Sequence, residues 1–317
     1  MNLLEKFINP EIQRLVGFYH KDCLDGSFSA AFLQLFFEHT EQPYVLIPTA
    51  YGDDIISQVK PGDLVVFADM STDPEQLKTI ASYCVSVLVL DHHDTAVRAY
   101  DALPSDYFDG LDVILYFDQS RCGAKLVYEE LEIAKLINDT STHLDSVIDR
   151  VNSIDLQLPE ATEHDCLIFG SYAKTYLTNP DKVYLFIKEY MTRYKNSIES
   201  DITERGTALY DSENEQVQWS IENTLRTIEL DLPDGASLPN VALVNAPKYL
   251  ATRISRVLED TFSCILIYHD TPEGRTYRIA SKRGGLIVNT IAESFGGGGH
   301  PHSAGIVASK NSYLGQL

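Results

Sequence analysis

Short apolar runs recur through the first hundred residues, and polar or helix-like segments separate them. The runs at 15–20, 44–48, 63–71 and 85–93 are rich in Val, Leu and Ile, which is typical of strands buried on both faces of a sheet. The segments 26–39 and 73–84 have helical character, and Pro74 is well placed to open the second one. Strands that alternate with helices at this spacing predict an α/β fold with a parallel sheet.

The pattern changes beyond residue 121. The segments 122–137, 143–152 and 181–198 are predicted helical, and 199–230 is interpreted as a long connector. The stretch DLPDGASLPN (231–240) has two prolines, a glycine and polar residues, as linkers do. After it we predict a strand (241–245), a helix (248–260), two strands (264–269 and 275–281), a helix (286–295) and a last strand (304–308).

These elements predict two domains. Residues 1–200 form a parallel-sheet domain with a helical middle segment, residues 201–240 a helical connector and linker, and residues 241–317 a smaller α/β domain. No internal repeat or low-complexity tract interrupts this organisation. A dimer through the helical middle segment is compatible with the sequence.

The charge is strongly acidic and unevenly distributed. Forty-six Asp and Glu against 25 Lys and Arg give a formal net charge of −21, yet residues 241–317 carry +3 and the remainder −24. An acidic body repels long nucleic acid, duplexes included, which normally meets a basic surface. A short anionic ligand held between metals and a basic patch stays compatible, and simple solubility is the alternative interpretation.

Cysteine usage and hydropathy indicate the compartment. The five cysteines are scattered without a CxxC pair, which argues against a disulfide framework and for a reducing cytoplasm. The start of the chain lacks the basic region and cleavage site of a secretory signal, and no apolar stretch is long enough to span a bilayer. We therefore expect a cytoplasmic protein without a membrane partner.

Acids and histidines follow three of the predicted strands. They are His20, Asp22, Asp25, Asp69, Asp91, His92 and His93. Open α/β sheets bind ligands at the carboxyl ends of their strands, and mixed oxygen and imidazole ligands suit Mn²⁺, Fe²⁺ or Zn²⁺ better than Mg²⁺ or Ca²⁺. Taken singly, each Asp is also a common turn former or helix cap, and each His a common loop or core residue. The set as a whole predicts a metal centre.

Four consecutive glycines stand in FGGGGHPHSAG (295–305). Each costs roughly 0.5–1 kcal/mol relative to alanine in regular structure, so the run needs a reason. A flexible linker is one interpretation. Because the run lies between a predicted helix and a predicted strand of one domain, a loop whose backbone N–H groups approach a phosphate or base is favoured.

Together these segments resemble the DHH phosphoesterase superfamily. VLVLDHHDTA (87–96) resembles its signature, HKDCLDGSFSAA (20–31) its first motif, Asp69 its second, and FGGGGHPHSAG the signature of its associated C-terminal domain. The motifs occur in the family's order over most of the chain. The resemblance implies a two-domain hydrolase of phosphodiester or phosphoanhydride bonds, with two Mn²⁺ ions in the interdomain cleft; Mg²⁺, Fe²⁺ and Zn²⁺ are alternatives.

The resemblance also implies residue roles. His20 and Asp69 would hold one metal with an aspartate of the first motif, for which Asp22 is the candidate. Asp25, Asp69 and His92 would hold the other, with Asp69 bridging the two ions.

Further roles follow from the same resemblance. The fourth-motif ligand is assigned to Asp155 in VNSIDLQ, with Asp149 as the alternative. Asp91 would orient a histidine by hydrogen bonding, and His93 would face the scissile phosphate. The substrate contacts are assigned to Gly297, Gly298, Gly299, His300, Ser281, Arg278 and Arg283, with His302 as a bystander.

The chain departs from the family pattern in two places. Cys23 stands where the first motif has an aspartate two positions before Asp25, which puts the occupancy of one metal site in question. Ala280 stands where relatives have an arginine before Ser281, so Arg278, Lys282 or Arg283 would replace that arginine.

Three functions remain at this point. The first is a Mn²⁺-dependent phosphodiesterase that hydrolyses short oligonucleotides or linear or cyclic dinucleotides to mononucleotides. The second is a phosphatase or pyrophosphatase acting on 3′-phosphoadenosine-type nucleotides or pyrophosphate. The third is a non-catalytic nucleotide sensor.

Overall fold

The computed structural model describes residue 9 and residues 11–136, 143–192, 195–272 and 274–317. Two compact units divide the chain, Met1–Tyr210 and Asp211–Leu317. None of the helices in these described ranges is both long and apolar enough to cross a membrane. All five cysteines lie in the described ranges and are free thiols.

The first unit is built on a five-stranded parallel sheet. Its strands are β1 (Arg14–His20), β2 (Tyr44–Thr49), β3 (Asp63–Ala68), β4 (Ser86–Asp91) and β5 (Val113–Phe117), in the order β2-β1-β3-β4-β5. The predicted parallel sheet is confirmed. The strand β5 was not predicted; it lies at the edge of the sheet and its residues are only half-buried.

Helices cover both faces of this sheet. They are α1 (Leu24–Thr40), α2 (Pro74–Ala81), α3 (Asp94–Asp101), α4 (Gly123–Glu130), α5 (Ile133–Leu136), α6 (His143–Asp155), α7 (His164–Tyr176) and α8 (Pro180–Thr192). Alternate residues of β3 point to opposite faces, so Leu64 and Val66 join the core under α1 while Val65 and Phe67 join the core under α2. Burial on both faces explains why β3 and β4 read as unbroken apolar runs.

Most of the predicted helical connector is one 30-residue helix, α9 (Lys195–Thr224), and a strand begins at Arg226 within the rest of the predicted stretch. Its apolar residues do not form one continuous stripe. Ile198 and Ile202 belong to the core of the first unit, whereas Val217 belongs to a core of the second. Because each end of the helix serves a different core, the usual periodic signal of a helix packed on one core is absent.

The second unit is built on a six-stranded mixed sheet, in agreement with the α/β fold predicted for the C-terminal part of the chain. Its strands are β6 (Arg226–Asp231), β7 (Ser237–Asn245), β8 (Ile265–Asp270), β9 (Arg275–Ala280), β10 (Gly298–His300) and β11 (Ser303–Ala308), in the order β10-β11-β9-β8-β7-β6. Only the β7–β8 pair is parallel among these described strands. The helices α10 (Ala251–Leu258), α11 (Val288–Ser294) and α12 (Tyr313–Gln316) complete the unit.

Residues 231–240 differ from the linker interpretation. The N–H of Leu232 donates to the carbonyl of Ala236, which closes a turn between the antiparallel strands β6 and β7. Proline, aspartate and glycine favour tight hairpin turns as well as linkers. Composition alone could not separate the two.

Candidate metal centre

The central strands of the first sheet bring the predicted acids and histidines to one edge. His20 ends β1, Asp69 follows β3, and Asp91, His92 and His93 come at the end of β4. These three strands are neighbours, with Tyr19 paired to Ala68 and Ala68 paired to Leu90. Their carboxyl ends are therefore level, and the side chains that follow them converge.

Asp69 lies between two histidines. Its Oδ1 is 3.1 Å from Nε2 of His92, and its Oδ2 is 3.8 Å from Nδ1 of His20. The backbone of Asp69 has φ +58°, a left-handed conformation that is uncommon for residues other than glycine. The backbone N–H of Asp69 donates to the carbonyl of Leu90, which ties this turn to β4.

Two more carboxylates reach His92 from helices. Asp25, in the first turn of α1, has Oδ2 3.6 Å from Nε2 of His92, and Asp155, the last residue of α6, has Oδ2 3.5 Å from the same nitrogen. Asp25 also accepts hydrogen bonds of 2.7 Å from the backbone N–H groups of Gly123 and Ala124. It therefore holds the start of α4 as well as facing the cluster.

Three sets of side chains have ligand atoms within 4.8 Å of one another. They are His20, Cys23 and Asp69; Asp69, His92 and His93; and Asp25, His92 and Asp155. Asp69 and His92 each belong to two sets. The arrangement offers two neighbouring positions for a divalent cation.

The structure separates the alternatives that the sequence left open. Asp22 has an exposed side chain and lies outside the three sets, whereas Cys23 lies inside one of them. Asp149 pairs with Lys125 at 2.7 Å, and 63% of its side chain is exposed. Of the two acids considered on α6, Asp155 is therefore the one that faces the cluster.

Burial and mutual repulsion disfavour the ionised form of these carboxylates when no cation is bound. Burial raises the pKa of Asp69 to about 8, and the charge of Asp155 adds to it. Burial and the charge of Asp69 raise the pKa of Asp25 well above its usual range. The Oδ2 atoms of Asp69 and Asp155 are buried without a hydrogen-bond partner among the described residues. Oxygen and imidazole donors with such unsatisfied atoms fit a centre for divalent metal ions.

Asp91 and His93 form a pair beside this cluster. Oδ1 of Asp91, which is fully buried, lies 2.7 Å from Nδ1 of His93 and also accepts from the backbone N–H groups of His92 and His93. Burial by itself lowers the pKa of His93, but the hydrogen bond and charge of Asp91 outweigh it and raise that pKa to about 9. Asp91 thus fixes the orientation of the ring and favours its protonated form.

Two residues of this site, Tyr51 and Gly123, were not predicted from the sequence. The ring of Tyr51 lies 6.1 Å from the ring of His93 and 6.2 Å from that of His20. A Cβ atom on Gly123 would lie 2.3 Å from Cβ of Asp69. Tyr51 follows β2, so the rule that ligands gather at strand ends could have found it; no local signal marks Gly123.

In the second unit, most of the glycine run has a structural reason. Gly296 has φ +78°, Gly299 has φ +146°, and a Cβ on Gly297 would meet the carbonyl oxygen of Gly305 at 2.1 Å. A Cβ on Gly298 would meet nothing within 4 Å, and its φ is not positive. The predicted loop is partly a strand, since Gly298–His300 pair with β11. Among the four glycines, only Gly298 is not required by the fold.

The other predicted substrate residues lie in β9 or β10 or in the loop between β9 and α11. Arg278 of β9 pairs with Gly305 of β11, which in turn pairs with Gly298, while His300 and Arg283 are exposed. Ser281 donates to the carbonyl of Leu286 and lies 3.0 Å from Nδ1 of His302.

His302, predicted to be a bystander, holds the neighbouring loop in place. The N–H of Gly284 donates to Nε2 of His302 at 3.1 Å. Together with Ser281, His302 therefore holds the loop that carries Lys282 and Arg283.

Comparisons with known proteins identify the fold. No protein-family model matches the chain, and no curated protein matches it in sequence. Among solved structures, it is similar to the DHH domain of a member of a family of ribosomal proteins (14% identity, 95% of this chain and 84% of that one, TM-score 0.56). It is also similar to exonuclease RecJ bound to manganese (13% identity, 98% and 91% covered, TM-score 0.56) and to an exopolyphosphatase-related protein from Bacteroides fragilis (15%, 99% and 90%, TM-score 0.52). The chain has the fold of the DHH-domain proteins.

Proposed function

We propose that this protein is a metal-dependent phosphodiesterase that hydrolyses short oligonucleotides or linear or cyclic dinucleotides to mononucleotides. The position of Asp69 carries the proposal, because one of its carboxylate oxygens faces His92 and the other faces His20. A carboxylate placed in this way would be shared between one cation held on the His92 side and another held on the His20 side. The manganese of the RecJ structure and the donor set of this site support Mn²⁺ as the cofactor.

The chain's own residues would divide into two ligand sets. His20 and Asp69 would hold one ion, with Cys23 beside it as a poor ligand for Mn²⁺, and Asp25, His92 and Asp155 would hold the other, with Asp69 shared. Two bound cations supply a water molecule of lowered pKa and neutralise charge on the phosphate.

His93 would bind the phosphate from the protein side. Its Nδ1 donates to Asp91, so the opposite ring nitrogen, Nε2, is the one directed away from that carboxylate. A protonated ring held in this way can donate a hydrogen bond to a non-bridging phosphate oxygen as negative charge grows there. Asp91 contributes by fixing the ring and by offsetting its positive charge.

Charge and the second unit support a short nucleotide as the substrate. The acidic body opposes long polyanions, while residues 241–317 carry a net charge of +3. Gly298 has no side chain to cover its backbone, and a Cβ atom there would meet nothing within 4 Å. Gly298 pairs with Gly305 on the next strand, and Gly305 pairs with Arg278 on the strand after that. We propose that these residues, with Gly297, Gly299, His300, Ser281 and Arg283, bind the part of the substrate that is not cleaved. The free thiols agree with a cytoplasmic location, which we propose as well.

A phosphatase or pyrophosphatase is the second candidate. The similarity to an exopolyphosphatase-related protein favours it, because the polyphosphate of that name is linked by phosphoanhydride bonds. The metal centre would serve both reactions, because each is attack of water on phosphorus.

A hydrolysis panel in Mn²⁺ tests these alternatives. The substrates are a dinucleotide, a five-mer, a long single strand, a cyclic dinucleotide, 3′-phosphoadenosine 5′-phosphate and pyrophosphate. The variants are His92→Ala and Asp155→Ala, and Asp149→Ala is the matched control because it removes an exposed acid of the same helix.

We expect the wild type and Asp149→Ala to cleave the short nucleotides and the other two variants to lose that activity. Preference for pyrophosphate would replace our proposal with the second candidate. Nucleotide binding without turnover of any substrate would identify a sensor.

A further inference from the structure

A pocket of about 250 Å³ opens in the first unit at the carboxyl ends of β2 and β3. Its lining includes Ala50 and Tyr51 after β2, Met70 and Ser71 after β3, and Gln76 of α2. The pocket adjoins the metal centre, since Met70 follows Asp69 in the chain and the ring of Tyr51 contacts those of His20 and His93. Pockets for drug-sized ligands measure roughly 300–1,000 Å³, so this one suits a single ring system or a sugar.

The charges of the lining disfavour a phosphate as the occupant. Asp53 and Asp73 line the pocket, and no Lys or Arg is among its lining residues in the described part of the chain. Lys21, the nearest base to Asp53, is paired with it at 3.1 Å. Asp73 would therefore repel an anion here and no free base among the described lining residues would attract one, whereas a neutral group would not be repelled.

The polar and aromatic groups of the lining suit a nucleoside. Half of Tyr51 is exposed (51%), which leaves part of its ring available for stacking with a base. The hydroxyl of Thr72 donates to Oε1 of Gln76, so the amide N–H groups of Gln76 and the second lone pair of the Thr72 oxygen remain for base edges or ribose.

We propose that this pocket holds the uncharged nucleoside part of the substrate while the phosphate next to it lies at the metal centre. The inference rests on the proposed function and narrows it, because a substrate without a nucleoside, such as pyrophosphate, leaves the pocket empty.

Filling the pocket tests the proposal. Gln76→Phe places a ring at the α2 wall and Ala50→Leu adds volume at the β2 wall, without changing any residue of the metal centre. Glu75→Phe is the matched control, an exposed position of the same helix outside the lining. Substrates are a dinucleotide and two analogues that each lack one base. Circular dichroism and the melting temperature of each variant check folding.

We expect both filling variants to raise KM for the dinucleotide about tenfold, because the binding free energy of one stacked base corresponds to about that factor, and we expect kcat to change little. The analogue that lacks the base held in the pocket should show the same KM with wild type and variants. Glu75→Phe should behave as wild type. Equal KM values of all proteins for the dinucleotide would overturn the proposal.

Binding of free adenosine and thymidine, followed by saturation-transfer NMR without metal, separates this inference from the proposed function. Loss of a nucleoside signal in Gln76→Phe supports the pocket even if the wild type hydrolyses nothing. Equal signals in wild type and variant, or none in either, would count against it.

Discussion

Gly123 lies so close to Asp69 that a Cβ atom at position 123 would be 2.5 Å from the Cα and 2.8 Å from the Oδ1 of that aspartate. Both partners are buried, and the clash includes backbone, so it cannot be relieved by rotating a flexible side chain. The start of α4 therefore presses directly against the carboxylate that faces both histidines. The precision of the metal centre depends on a residue that has no functional group.

We predict that Gly123→Ala displaces Asp69 and lowers kcat/KM by at least about a hundredfold, because misplacement of a reacting group by about 1 Å costs that much. Steady-state kinetics and Mn²⁺ titration measure the effect. Gly170→Ala is the control, since a Cβ there meets only Ile154, at an ordinary 3.5 Å, and alanine favours the helix. Full activity of Gly123→Ala would contradict the prediction.

Mn²⁺ should stabilise the folded protein, because a cation offsets the repulsion among the buried carboxylates. At 100 times Kd, a ligand of the folded state adds about 2.7 kcal/mol, and each kcal/mol raises Tm by roughly 2–4 °C. Differential scanning fluorimetry with and without Mn²⁺ measures the shift. Asp155→Ala should reduce the shift and Asp149→Ala should not; an equal loss in both would argue against Asp155 as a ligand.

The pair of Asp91 and His93 should control turnover more than substrate binding. We expect Asp91→Asn to lower kcat by about 10–100-fold, as substitutions that support a functional histidine do, with little change in KM. Asp94→Asn is the control, because Asp94 is half-buried, pairs with Arg98, accepts a hydrogen bond from Gln119 and lies outside the three ligand sets. A larger change in KM than in kcat would refute the assigned role.

An ion-pair network next to α4 should make stability depend on acid pH. Partial burial raises the pKa of Asp118, but hydrogen bonds from Ser120 and Arg121 outweigh burial and lower that pKa below its usual value. A carboxyl with a lowered pKa in the folded state adds stability above the unfolded pKa of about 3.9, and loses it as the pH falls through the folded value.

Asp118→Asn should therefore reduce the free energy of unfolding at pH 7 by about 0.5–1 kcal/mol, and the difference should vanish once the pH falls below the folded pKa of Asp118. Urea denaturation at several pH values measures it. The exposed Asp109→Asn is expected to change little at any pH. A difference for Asp118→Asn that persists at low pH would show that the ion pair is not its cause.

The glycines of the second unit should respond differently to one methyl group. Gly298→Ala should fold with unchanged Tm but bind nucleotide more weakly, because its Cβ occupies open space beside Gly305. Gly297→Ala should lower Tm, since its Cβ collides with a backbone carbonyl. Fluorimetry and nucleotide titration separate the two, and unchanged affinity in Gly298→Ala would remove that residue from the proposed site.

Local patterns were sufficient for four of the five strands of the parallel sheet and for the groups at its edge. The strands β3 and β4 are buried on both faces, so their apolar runs are continuous in the sequence, and His20, Asp69 and Asp91 follow directly from where strands end. The apolar runs locate the strands in the sequence, and the residues just after them meet in space because neighbouring parallel strands end at the same edge of the sheet.

Only the tertiary structure decided which groups face the cluster and what holds them there. The sequence presents Asp149 and Asp155 on one helix and Asp22 beside Cys23, and the packing of α6 and the left-handed turn at Asp22 determine which of each pair turns inward. The contact of Gly123 with Asp69, the place of Tyr51 beside His93 and the full length of α9 likewise escaped the sequence. Each depends on contacts between residues far apart in the chain, and such contacts leave no local period to read.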